Sequence, residues 1–295
     1  MDALVARRVR TARGVIEVAE AGSGPVVLVV HGAPGNWRQA ISVAEDLAGE
    51  SRVLLLSRPG YGRTPLRSGR SPQEQGALYL ALLDSLGIDR AVVLGISGGG
   101  PSAFALAAAQ PDRCAGLLLC CAVTPHLMLL PPSMLRLAAV PGLWRSLAAV
   151  SRFVHRVRPS PLDLTALTPV EQSLAAQVLP DIERFETDRH QSLRGVGLRN
   201  DTRQLTAAVE IPWPSGVLVP TVVLHGDADE VVPLLHAQAY ASVVPGAVLE
   251  VLNGYGHALP LFARARVAAL LRQLITGGPD RPTPGTATPQ AAPPP

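Results

Sequence analysis

The sequence predicts an α/β protein with a mainly parallel, doubly wound sheet. Short aliphatic runs alternate with longer helical stretches along most of the chain, as βα units require. Several of these runs end in glycine-containing loops that carry serine, histidine or carboxylate side chains. Open α/β sheets place their ligands at that carboxyl edge.

In chain order, the strand-like runs are Val15–Ala19, Val26–Val30, Val53–Leu56, Ala91–Leu94, Ala115–Cys121, Thr221–Leu224 and Val248–Leu252. One helix is well marked. Ser71-Pro72-Gln73-Glu74 reads as a capping box with proline at the first helical position, leading into Ala77–Leu86 and stopping at Gly87. A second helical run, Ser102–Gln110, has Pro101 in its first turn, where an N–H lacks a helical partner anyway. From about Thr124 to Pro214 the alternation stops. This stretch has helical apolar patches, Met134–Val150 and Leu164–Leu179, and is punctuated by proline. Residues 277–295 are rich in Gly, Pro, Thr and Ala and are expected to be a disordered tail.

Composition bounds the function. With 295 residues, 47% of them apolar, the chain can bury a large core in one or two domains. A net charge of +3 gives no reason to expect a nucleic-acid partner. All 26 basic residues are arginine, which we read as codon bias. Cys114, Cys120 and Cys121 form neither a disulfide framework nor a zinc motif, and buried free thiols are expected. Met1–Gly14 has arginines but no apolar core of a secretory signal, and no apolar run is long enough to span a bilayer. A cytoplasmic location is expected. The basic run Arg145, Arg152, Arg156 and Arg158 reads as a solvated helix face, so membrane contact is not expected.

The chemistry concentrates at Gly95-Ile96-Ser97-Gly98-Gly99, between a strand run and a helical run. G-x-S-x-G in that setting is a nucleophile elbow, which holds Ser97 out at the sheet edge. A serine nucleophile needs a base and a group to orient it. Two later loops offer these. His225-Gly226-Asp227-Ala228-Asp229-Glu230 carries three carboxylates, and Gly254-Tyr255-Gly256-His257 carries an imidazole. Upstream, Val26–Val30 ends in His31-Gly32-Ala33-Pro34-Gly35. Such a turn supplies one oxyanion-hole amide, and the residue after the nucleophile supplies the other. The candidates are the Ala33 and Gly98 amides.

With Arg58-Pro59-Gly60-Tyr61-Gly62-Arg63-Thr64 and Val232-Pro233 added, these segments resemble the cap-containing α/β-hydrolases, in the family's order from about residue 14 to about 275. The resemblance implies the α/β-hydrolase fold, with about eight strands. The core would comprise residues 1–124 and 213–276, and residues 125–212 a helical cap over the site. Among Asp227, Asp229 and Glu230 it selects Asp229, giving a Ser97, Asp229, His257 triad, and it gives His31 a structural role. His225 and His236 read as structural or exposed. Members of this superfamily that open epoxides or remove halogens carry aspartate at the elbow, and position 97 is serine. Proline iminopeptidases carry a His-Gly-Gly-Pro-Gly turn, and Ala33 departs from it.

The expected chemistry is cleavage of a carboxylic ester-type bond in a small, apolar substrate through an acyl-enzyme, without metal or other cofactor. Thioester, lactone, amide, C–C and peroxyacid chemistry stay open. So do a non-hydrolytic receptor of the same fold and a tailoring thioesterase, cyclase or peptidase. Oligomeric state is not readable.

Overall fold

A computed structural model of the chain describes residues 4–47, 49–124, 167–192, 196–207 and 217–277. Eight strands form one sheet: β1 (Arg7–Thr11), β2 (Gly14–Ala21), β3 (Val26–Val30), β4 (Arg52–Ser57), β5 (Ala91–Ile96), β6 (Cys114–Cys120), β7 (Thr221–Gly226) and β8 (Val248–Leu252). Their order is β1-β2-β4-β3-β5-β6-β7-β8. The β1–β2 and β2–β4 pairs are antiparallel and the rest are parallel. The sheet is thus the mainly parallel, roughly eight-stranded one expected.

Successive residues of the inner strands enter opposite faces. Leu28 and Val30 join one core with Leu54, Leu56, Leu117 and Leu119, while Val27 and Val29 join the other with Val53, Leu55, Leu118 and Cys120. Helices α2 (Pro72–Ser85) and α3 (Gly100–Ala109) cover the first face, with Leu78 and Phe104 in its core. Helix α1 (Ile41–Asp46) and the last helix cover the second, with Val43, Val267 and Leu271. Each fully buried aliphatic side chain contributes about 1.5–3 kcal/mol, so both faces are strongly held.

The capping box at Ser71 is formed in both directions: Ser71 Oγ accepts the Glu74 N–H, and Glu74 accepts the Ser71 N–H. The helix ends before Gly87, which has φ +64°.

Two features add to the sequence reading. The arginine-rich start contributes β1, an edge strand, with Val9 buried while Arg7, Arg8 and Arg10 face solvent. The helical stretch after His257 is divided. It breaks at Ala263 (φ −105°, ψ 31°) into two, Leu259–Phe262 and Arg264–Ile275.

Between β6 and β7 the described residues form two helices, α4 (Pro169–Ser192) and α5 (Val196–Ala207). Counting them, the later helices are α6 (Leu235–Val243), α7 (Leu259–Phe262) and α8 (Arg264–Ile275). The patch Met134–Val150, the basic run from Arg145 to Arg158, and residues 278–295 of the tail lie outside the described residues. No described helix is long and apolar enough to cross a membrane.

Chain order runs from β3 to β4 on one side and to β5 on the other. The crevice between the carboxyl ends of β3 and β5 is the topological switch point, where this kind of sheet binds ligands.

Candidate active site

Ser97 follows β5 with φ +48°, a left-handed backbone that costs a non-glycine residue about 1–3 kcal/mol. Close packing holds it there. A Cβ at Gly95 would lie 2.7 Å from the Ala103 Cβ, and one at Gly99 would overlap the Val30 and His31 carbonyl oxygens. The glycines therefore let α3 approach the sheet. Val123 N–H, just past β6, fixes the Ser97 carbonyl at 3.1 Å.

The Ser97 hydroxyl meets His257 Nε2 at 3.0 Å, and His257 Nδ1 meets Asp229 Oδ2 at 2.8 Å. The other Asp229 oxygen, Oδ1, accepts the Val231 and Val232 N–H groups at 2.9 and 2.8 Å. Burial pushes the Asp229 carboxyl up, but the bonds from His257 and Val232 outweigh it and hold its pKa below the usual value. The carboxylate is thus ionised and oriented. It favours the His257 tautomer with hydrogen on Nδ1, leaving Nε2 as an acceptor for the Ser97 hydroxyl.

The competing carboxylates do other things. Asp227 Oδ1 accepts the Gly254 N–H at 2.6 Å, which ties the β7 loop to the His257 loop, and Glu230 is exposed.

The structure brings Ala33 beside Gly98: a Cβ on Gly98 would lie 3.0 Å from the Ala33 Cβ and 3.4 Å from its nitrogen. Gly98 lies in the 3₁₀ turn Ser97–Gly99, whose early N–H groups have no acceptor within the turn. Gln39 braces the opposite strand end: its Oε1 accepts the Gly32 N–H at 2.8 Å, and its Nε2 donates to the Pro34 carbonyl at 3.3 Å. Nothing in the sequence pattern singled out Gln39.

His31 is structural. Its Nε2 accepts the Arg58 N–H at 2.9 Å, so Nδ1 carries the hydrogen and donates to the Gly32 carbonyl at 2.6 Å. Burial, with the Arg58 charge, pushes it down to about 3, so it stays neutral. His225 and His236 are both buried rather than exposed. His225 Nε2 donates to the Val232 carbonyl at 2.8 Å, and His236 Nδ1 accepts the Thr124 N–H at 3.0 Å. His225 thereby fixes the backbone just past Asp229, and His236 the segment just past β6.

All three cysteines are buried and free. Cys121, with φ +46°, packs beside the acid, and donor atoms of Cys121, Asp229 and His257 lie within 4.8 Å of one another. A metal could use that set only by breaking the Asp229–His257 bond. A hydrogen bond with Cys120, burial and the charge of Asp229 raise the Cys121 pKa well above the ordinary thiol value, which disfavours the thiolate.

A buried ionic cluster lies next to Gly98. Arg58 donates to both oxygens of Asp201 on α5 at 3.0 and 2.9 Å, and Tyr61 O–H donates to Asp201 Oδ2 at 2.7 Å. This links the β4 turn to the insertion, and a Gly98 Cβ would lie 3.4 Å from Arg58 Nη1. The sequence flagged Arg58–Thr64 only as a family segment. Asp201 lies 143 positions away with no local pattern to mark it.

A family model described as the alpha/beta hydrolase fold matches residues 25–263. The chain belongs to the alpha/beta hydrolase family. An uncharacterised hydrolase of Bacillus subtilis, YcgS, is 29% identical over 267 residues, covering 85% of this chain and 92% of that one. A 2-hydroxy-6-oxononadienedioate/2-hydroxy-6-oxononatrienedioate hydrolase of Cupriavidus pinatubonensis is 28% identical, covering 80% and 81%. An alpha/beta hydrolase fold protein from Nakamurella multipartita superposes with a TM-score of 0.69 at 30% identity, covering 91% and 99%. This alpha/beta hydrolase is therefore an enzyme of a hydrolytic family.

Proposed function

We propose that this hydrolase cleaves carboxylic ester-type bonds of small, apolar substrates through Ser97, His257 and Asp229. The observation that carries the reading is the continuous chain from the Ser97 hydroxyl through His257 to the doubly anchored Asp229 carboxylate, with distances of 3.0 and 2.8 Å.

Ser97 Oγ attacks the carbonyl carbon as its proton passes to His257 Nε2. The Ala33 and Gly98 amides take the developing oxyanion, each such donor being worth about 3 kcal/mol. His257 returns the proton to the leaving oxygen, which departs as the alcohol. Water, deprotonated by the same imidazole, then releases the acid and regenerates Ser97. Residues 125–212 act as a cap over this crevice, held on the core at Asp201. Three buried free thiols fit a reducing, cytoplasmic setting.

Pre-steady-state turnover of p-nitrophenyl butyrate tests this. The expected result is a burst of p-nitrophenol approaching one equivalent per enzyme, absent from Ser97→Ala. Turnover that survives Ser97→Ala unchanged would place the chemistry elsewhere. A parallel panel of thioesters and lactones ranks the acyl and leaving groups.

A further inference from the structure

The His257 loop is gripped from two sides. On the sheet side, Ala228 N–H donates to the Tyr255 carbonyl at 3.1 Å. On the insertion side, Gly256 N–H donates to Glu171 Oε1 at 3.0 Å. These are the two ends of the Tyr255–Gly256 peptide plane, one plane before the peptide that joins Gly256 to His257. Fixing both ends anchors the loop at the residue before the imidazole.

Glu171 is itself placed by the start of α4. Thr168 N–H donates to Glu171 Oε2 at 3.0 Å, and Thr168 Oγ1 accepts the Glu171 N–H at 3.2 Å. This is a capping box, and its carboxylate has an oxygen left for the loop. The residue is 1% exposed. The seat is close: a Cβ at Gly256 would lie 3.1 Å from both Glu171 Oε2 and Thr168 Cγ2, and one at Gly254 would lie 2.7 Å from Val170 Cγ2. Both glycines before His257 therefore make room for the first turn of α4. Ala175 and Val178 of the same helix pack on Phe262, just beyond the histidine.

We infer that Glu171 is a positioning residue for His257, so that the base is held in register only while α4 is seated. The inference rests on the proposed roles of Ser97 and His257. It makes the insertion a conditional part of the catalytic apparatus as well as a cover: withdrawing α4 removes the acceptor of Gly256 N–H and frees the histidine loop.

The test uses the full chain and the rate of Ser97 labelling by a fluorophosphonate, which needs the base but no natural substrate. Three variants separate positioning from simple cap stability. Glu171→Asp keeps the carboxylate at the helix start but is one methylene too short to reach Gly256. Glu171→Gln keeps one acceptor oxygen at full length for Gly256 and gives up the acceptor of the Thr168 N–H. Thr168→Ala weakens the cap of the helix and leaves the Gly256 bond in place. The expected result for Glu171→Asp is labelling slowed about 10- to 100-fold, the usual cost of misplacing a catalytic group by about an ångström. Its Tm should stay close to wild type, and kcat on p-nitrophenyl butyrate should fall with KM little changed. Glu171→Gln, with its oxygen turned to Gly256, and Thr168→Ala should both label within about threefold of wild type despite a lowered Tm, since an end cap contributes to helix stability alone. Wild-type labelling by Glu171→Asp would overturn the inference. So would Thr168→Ala slowing labelling as much as Glu171→Asp. Failure of the wild type to label would instead strike at the role of Ser97.

Discussion

Two residues make the sharpest tests of the chemistry. Asp229 holds the Nδ1 hydrogen of His257 with one oxygen while two backbone amides hold the other. Asp229→Asn keeps the size but presents the wrong hydrogen-bonding group and stabilises the wrong tautomer. A drop in kcat of about 10⁴-fold is expected, with the fold retained. Steady-state kinetics on p-nitrophenyl butyrate measure it, and a loss below tenfold would remove Asp229 from the mechanism. Gly98 makes a second test, because a methyl group there would press on Ala33 at 3.0 Å and spread the Ala33 and Gly98 amides proposed to hold the oxyanion. Gly98→Ala should lower kcat by up to about 10²–10³-fold with KM little changed, the cost of losing one donor. Unchanged kcat would mean these amides do not serve the transition state.

At the scale of elements, α5 is fastened to the β4 turn by Arg58 and Asp201, whose side chains are 4% and 9% exposed. Removing one partner strands a buried charge, so Arg58→Met or Asp201→Leu alone should each cost about 3–5 kcal/mol. The double replacement should recover much of that loss. Urea unfolding of the three variants checks it, and additive losses would show that the pair is not coupled. This link also shows what could be read from the sequence. The strands, the capping box at Ser71 and the loops bearing Ser97, Asp229 and His257 rest on local runs and turns that a sequence displays directly. Contacts across long separations are silent: Asp201 on Arg58 and Glu171 on Gly256 each join distant segments with no shared pattern. Strand β1 was missed for a different reason. An edge strand buries one face, and Val9 alone among three arginines hardly displays a period of two.

For the whole molecule, acid should be the weak side. His31 and His236 are pushed down by burial to about 3 and about 4, and His225 is lowered by burial too. Each is neutral when folded but takes up a proton near pH 6.5 when unfolded. Below pH 6.5 the unfolded chain therefore binds more protons, and stability falls by up to about 1.4 kcal/mol per pH unit per histidine until the folded values are reached. Asp229 acts in the same direction lower down: its depressed pKa lends stability that is lost as pH falls through the folded value. The urea midpoint should therefore drop steadily from pH 7 to pH 4.5. A flat midpoint over that window would contradict the buried neutral histidines.

The central claim is that Ser97 is an activated nucleophile, and intact mass after incubation with a fluorophosphonate tests it most directly. The account predicts a single adduct on the wild-type chain and none on a folded Ser97→Ala variant. An unmodified wild-type chain, or an adduct that persists in Ser97→Ala, would contradict it.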